Sequence, residues 1–171
     1  AFLEEAGDNR LFAFDSFTIN GHQLNEAGIA AFIGGEMGVP MILAAGDDAL
    51  TSETREMLGP IETVTVKTVF SPAAAAALSP ARVHQMLRAA AARAVRRARA
   101  GQLKPLVLEK PYHVHICLRR GYVRDDWVRT TVGRLEGMTD GGSPGCYDYT
   151  TSSAEEVGNL LNEIEWTVLK P

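Results

Sequence analysis

Apolar and polar positions along the chain alternate with two different periods, and the changes of period mark out the elements. Residues 11–19 (LFAFDSFTI) alternate loosely and run into Asn20-Gly21, a strong turn signal. This predicts a strand, a turn and a short continuation through Leu24. A helix is expected from about Asn25 to Met37. Its Gly28, Ala30, Ala31 and Gly34 are small enough to let neighbours approach closely. Val39 to Ala45 is a short apolar run of the kind found in buried strands, and Gly46 ends it. Asp48, Thr51 or Ser52 is placed to cap a following helix that reaches about Leu58. Residues 61–69 are β-rich and alternate, which predicts another strand.

Ser71-Pro72 opens an alanine run that stops at Ser79-Pro80. Ser79 as cap and Pro80 at the first helical position predict a helix to Ala100, stopped by Gly101. Val83, Leu87, Ala90, Ala94 and Ala98 form its apolar stripe. YHVHICL, residues 112–118, reads as a strand. A polar segment around Trp127 suggests a short helix, and residues 134–149 suggest two short strands and a loop. Ser153-Ala-Glu-Glu156 is a capping-box pattern. It opens a last helix from Ala154 to about Trp166, with Val157, Leu160, Leu161 and Ile164 inward. The composition shifts near Ser71–Pro80, so the expected division is residues 1–70 and residues 71–171.

With 46% hydrophobic and 22% charged residues, the chain suits an ordinary globular protein. A net charge of −4 argues against a general nucleic-acid binder. No run approaches the roughly 20 apolar residues that span a bilayer. The opening AFLEEAGDNR is acidic, unlike a signal peptide. Cys117 and Cys146 read as two isolated thiols, which fits a reducing cytosol and makes a cytoplasmic location the expectation. The chain begins with Ala1 rather than Met, and a processed, trimmed or partial chain is expected.

Among candidate chemical groups, Glu26 falls in the first turn of a predicted helix. There an acid complements the helix dipole by roughly 0.3–1 kcal/mol, or serves as a metal ligand or general base. Asp47 and Asp48 follow a predicted buried strand, where they cap a helix or orient a ligand. Open α/β sheets place ligands outside the carboxyl ends of their strands. Lys67 lies on a β-rich segment and faces either solvent or a cleft. His113 and His115 are two apart and share a strand face, with packing or surface roles favoured over metal binding. Six arginines between Arg82 and Arg99 lie mostly off the apolar stripe and read as a solvated face. There is no CxxC, no HExxH, no glycine-rich phosphate loop and no usable Cys–His signature.

The stretch from Ile19 to Asp48 resembles the DppA-like D-aminopeptidases, a family of zinc-dependent peptidases. Its ING turn, NEAGIAA helix start and GVPMILAAGDD strand are similar to that family's ING turn, GE–small–GLNA helix start and GVPVLMVAGDD-like strand. The segment ETVTVKTVFSPAAAAALSPARVHQML and the ending CYDYTTSSAEEVGNLLNEIEW continue the similarity in the same order.

This resemblance implies an α/β fold: a layered sheet-and-helix lobe completed by an upstream segment, plus a smaller α+β lobe. It implies an aminopeptidase or amide hydrolase that removes an N-terminal, often D-, residue from short peptides, with two zinc ions in the complete enzyme. Glu26 matches the family's metal-ligating glutamate. Asp47, Asp48 and Lys67 match positions near the site. The other metal ligands, an Asp-x-Glu and two histidines, belong to an upstream segment or partner chain. Glu5 stands where the family has a histidine thought to act in catalysis, and Asn25 replaces a glycine. A ring-like homo-oligomer is also implied, with no nucleic-acid or membrane partner. The competing expectation is a non-catalytic binding or assembly module that kept the scaffold and lost the metal site.

Overall fold

The computed structural model describes residues 14–71, 74–118, 132 and 135–168. Glu5, residues 11–13 and the segment around Trp127 lie outside them. The architecture is mixed α/β, with two sheets among the described residues. The chain forms two compact units: among the described residues, one takes residues 25–107 and the other takes 14–24 with 108–168.

The first unit is built on a three-stranded sheet. Strand β3 (Leu43–Asp47) pairs parallel with β4 (Glu62–Ser71), and β5 (Ala74–Ala77) adds antiparallel to β4. Helix α2 (Asp48–Leu58) is the crossover that a parallel pair requires. The 20-residue α3 (Pro80–Arg99) packs on β4 and β3, while α1 (Glu26–Glu36) lies beside α2. The expected boundary near Ser71–Pro80 falls inside this unit, because β4 pairs with β5 and α3 returns onto the same sheet.

Ala44, Ile61 and Leu103 form the centre of a core into which Met41, Ile42, Leu58 and Ala98 pack. Ala90 and Ala94 on the α3 stripe are fully buried. Ser79 caps α3 by accepting from the Arg82 amide at 3.4 Å, Pro80 stands at the first turn, and Gly101 (φ 67°) ends it. All three were legible in the sequence. The strand expected over Val39–Ala45 is shifted: β3 starts at Leu43 and runs through Gly46, and Val39 is 55% exposed. Val39 is held instead by the hydrogen bond its amide donates to the Gly34 carbonyl, which fixes the exit from α1. The alanine run forms a strand despite alanine's poor β propensity, since pairing with β4 overrides local preference.

The second unit is an antiparallel sheet of order β2-β1-β6-β8-β7. Its strands are β1 (Phe14–Ile19), β2 (His22–Gln23), β6 (Tyr112–Leu118), β7 (Thr139–Asp140) and β8 (Cys146–Thr151). Asn20 (φ 51°) and Gly21 (φ 77°) make the two-residue turn between β1 and β2. Alternation is clean on β6: Tyr112, Val114, Ile116 and Leu118 are buried, with Phe17 and Ile19 of β1 on the same buried side. Helix α4 (Ala154–Val168) packs on β8 and buries Val157, Leu160, Leu161 and Ile164. Its capping box is only half formed. Ser153 Oγ accepts from the Glu156 amide, but the Glu156 carboxylate takes the Thr151 hydroxyl, and Thr151 Oγ1 accepts from the Ser153 amide.

The expectation of two isolated thiols is corrected. Cys117 and Cys146 form a disulfide, because antiparallel pairing of β6 and β8 sets them directly opposite each other. Their separation of 29 residues gives no hint of this until the strand pairing is known. No helix among the described residues is long and apolar enough to cross a membrane.

Candidate functional site

Strands β3 and β4 run parallel, and the carboxyl end of β3 lies beside Lys67 in the middle of β4, which continues to Ser71. Asp47 is the last residue of β3 and stands in register with Lys67, after a shift in pairing at Gly46. The chain leaves β3 in extended geometry at Asp47 (ψ 177°) and turns at once into α2. Asp47, rather than Asp48, Thr51 or Ser52, is therefore the cap: its Oδ1 accepts from the Leu50 amide at 2.8 Å. The second oxygen of Asp47 lies 3.8 Å from Lys67 Nζ. Asp48 reaches sideways, and its Oδ1 accepts from the Val69 amide at 3.1 Å, clasping α2 to the end of β4.

Beneath this edge, Thr51 Oγ1 lies 3.0 Å from the Asp47 carbonyl oxygen and 3.1 Å from that of Asp48. With its proton committed there, Thr51 accepts the 2.8 Å hydrogen bond from Thr65. Thr51 is fully buried, so this hydroxyl pair helps fix the α2 N-terminus over the strand ends. The structure thus brings Asp47, Asp48 and Lys67 together at the end of β3. It also shows that both aspartates hold backbone amides.

Glu26 is the first residue of α1 and is exposed. Asn25 is 3% exposed. It caps α1, with Oδ1 accepting from the Gly28 amide at 2.9 Å, while its Nδ2 donates to Glu53 Oε2 of α2 at 2.9 Å. Asn25 therefore ties the Glu26 end of α1 to α2. A polar residue three before the Gly28 amide was the available signal for this cap. An exposed carboxylate on a rigid helix start fits one zinc ligand, but one ligand does not make a site.

Two of the helix arginines also depart from the solvated-face reading. Arg93 and Arg97 of α3 reach Glu62 at the start of β4, at 3.0 and 3.3 Å. Burial alone would raise the Glu62 carboxyl, but hydrogen bonds and charge from the two guanidinium groups hold it below the ordinary carboxylate value.

In the second unit, His113 and His115 do share a face, and each has a cross-strand partner on β8. His113 Nδ1 lies 3.2 Å from Thr150 Oγ1, and His115 Nδ1 lies 2.6 Å from Asp148 Oδ1. His115 Nε2 in turn lies 3.2 Å from Cys117 Sγ. This Cys–His grouping was missed. His-x-Cys and Cys-x-Asp each put two polar residues on one strand face, but the sequence does not show that the two strands are neighbours.

A sequence model of the peptidase family described as D-aminopeptidase matches residues 10–138. The chain belongs to that family. It is 34% identical over 77 residues to the D-aminopeptidase of Bacillus subtilis (strain 168), a match covering 45% of this chain and 28% of that protein. Its fold is similar to that of the Zn-dependent D-aminopeptidase DppA from Bacillus subtilis, a self-compartmentalizing protease, with a TM-score of 0.77 and 23% identity. That match covers 94% of this chain and 57% of the DppA chain, so these residues span little more than half the length of the solved relative.

Proposed function

We propose that these residues form the C-terminal portion of a zinc-dependent aminopeptidase or amide hydrolase that removes the N-terminal, often D-, residue from short peptides. The observation that carries this reading is the family match across residues 10–138, which includes Glu26 and the whole β3–β4 edge. Glu26 is the protein's zinc ligand from this stretch. Asp47 and Asp48 hold the α2 N-terminus in place, and Lys67 sets a positive charge beside Asp47. Bound zinc supplies a polarised scissile carbonyl and an activated water. Most of its ligands come from an upstream segment or partner chain, and Glu5 is proposed as the proton-handling group in place of the family histidine.

Assembly into a homo-oligomer belongs to the same proposal. Strand β5 is exposed at every position and forms an edge of its sheet. The flanking Phe70 and Leu78 are 71% and 43% exposed. An exposed apolar edge of this kind is a ready surface for a second copy.

Glu26→Gln tests the reading in native protein whose intact mass and metal content are measured first. Zinc content and D-aminopeptidase activity should both fall while the unfolding midpoint stays close to wild type. A change confined to a few tenths of a kcal/mol in stability, with metal and activity untouched, returns Glu26 to a helix-dipole role. One pure 171-residue species that is free of metal sinks the enzyme reading and favours a binding or assembly module.

A further inference from the structure

The outer face of the β6–β8 ribbon carries a grouping that the peptidase reading does not use. Strand register places Cys117 opposite Cys146 and, on the next same-face pair, His115 opposite Asp148. One ligand atom from each of His115, Cys117 and Cys146 falls within 4.8 Å of the other two. The imidazole is already oriented for use. Its Nδ1 is engaged by Asp148 Oδ1 at 2.6 Å, which turns Nε2 toward Cys117 Sγ at 3.2 Å. A carboxylate on one ring nitrogen with the other aimed at thiol ligands is the arrangement that fixes a metal-binding histidine. His115 has 38% of its side chain exposed, so a cation can enter from solvent.

From this geometry we infer that, once the disulfide is reduced, His115 Nε2, Cys117 Sγ and Cys146 Sγ form a binding site for a thiophilic divalent cation of the zinc class. Tetrahedral zinc wants its sulfur ligands about 3.8 Å apart and its sulfur and nitrogen ligands about 3.6 Å apart. The His115–Cys117 spacing needs to widen by only a few tenths of an ångström. Both sulfurs sit at one rung of a two-strand ladder, where rotation about the Cα–Cβ bonds parts them without breaking the pairing.

The chemistry balances with a phosphine as reductant. The phosphine gives two electrons to the S–S bond and takes the oxygen of one water as phosphine oxide. The two hydrogens of that water end on Cys117 and Cys146. The cation then displaces one proton from each thiol, and neutral His115 enters as third ligand. Two thiolates and a divalent cation leave no net charge at the centre, and water takes the fourth position.

The test is an anaerobic titration of the full chain with cobalt(II), an optical stand-in for zinc, before and after phosphine treatment. Far-ultraviolet circular dichroism reports the fold in each sample. The reduced protein should keep its native dichroism and show a thiolate-to-cobalt charge-transfer band that saturates at one equivalent, with tetrahedral d–d bands. The oxidised protein should show neither. The charge-transfer band should survive in reduced Glu26→Gln and weaken stepwise in reduced Cys117→Ser and Cys146→Ser. Asp148→Asn keeps every ligand but loosens the imidazole, and should weaken cobalt binding by about 10- to 100-fold. Three results overturn the inference: no charge-transfer band on reduction, a band that appears only with loss of native dichroism, or a band unchanged in both cysteine variants.

Discussion

Gly35→Ala should destabilise the protein even though it puts a better helix former into α1. A Cβ built on Gly35 falls 1.8 Å from the Leu106 carbonyl oxygen, 2.8 Å from its carbon and 3.1 Å from its nitrogen. Ordinary contacts begin near 3.4 Å, and the obstacle is main chain, which has no rotamer to change. Helix and passing chain must part by roughly 1.5 Å, the kind of overpacking that costs about 1–3 kcal/mol. Replacing glycine by alanine in a helix returns about 1 kcal/mol. The net expectation is a loss of up to about 2 kcal/mol. Gly34 is an internal control: its added Cβ meets the Val39 carbonyl oxygen at 3.2 Å and little else. Gly34→Ala should therefore be neutral or slightly stabilising. Urea unfolding followed by far-ultraviolet circular dichroism measures both. If Gly35→Ala is as stable as Gly34→Ala, the close packing of α1 against Leu106 is not a determinant of this unit.

Glu62→Gln probes the clamp between β4 and α3. The folded carboxyl sits below its unfolded value, so its contribution is present above the unfolded value of about 4.3 and disappears as pH falls through the folded one. Arg93 is half exposed, so screening limits the effect, and the gap to wild type at neutral pH should be at most about 1 kcal/mol. Unfolding midpoints that stay apart at acid pH would contradict this assignment. Asp47→Ala removes the cap of α2 and should cost about 1 kcal/mol, while Asp47→Asn should cost much less because asparagine caps equally well. Equal losses in the two variants, measured by thermal unfolding, would shift the weight to the Lys67 ion pair.

The legible parts of the fold were those written in local signals. Asn20-Gly21 gave a hairpin, Ser79-Pro80 and Gly101 bracketed a helix, and YHVHICL gave the strand β6. Signals failed where pairing partners decide the outcome. Four alanines became a strand only because β4 lies alongside, and two cysteines became a disulfide only because β6 and β8 are neighbours. At the candidate site the strand-end aspartates were legible from position, whereas spacing left Lys67 open between solvent and a cleft. The cap passed to Asp47, one residue earlier than expected, because β3 runs through Gly46. The half-buried bridge from Asn25 to Glu53 was illegible, since it joins two helices through side chains 28 residues apart in the sequence.

The pairing of β1 with β6 also governs the order in which the chain can fold as it is made. Asn20 exchanges hydrogen bonds with His113, 93 residues later. At roughly 5–20 residues per second, synthesis leaves the β1–β2 hairpin waiting several seconds for its central neighbour. Throughout that interval Phe14, Phe17 and Ile19 have no β6 to cover their flank, while residues 25–107 can complete a unit of their own. The nascent hairpin is thus a segment that a chaperone or rapid translation would protect. Its tight Asn20-Gly21 turn, formed from adjacent residues alone, preserves the register that β6 later joins.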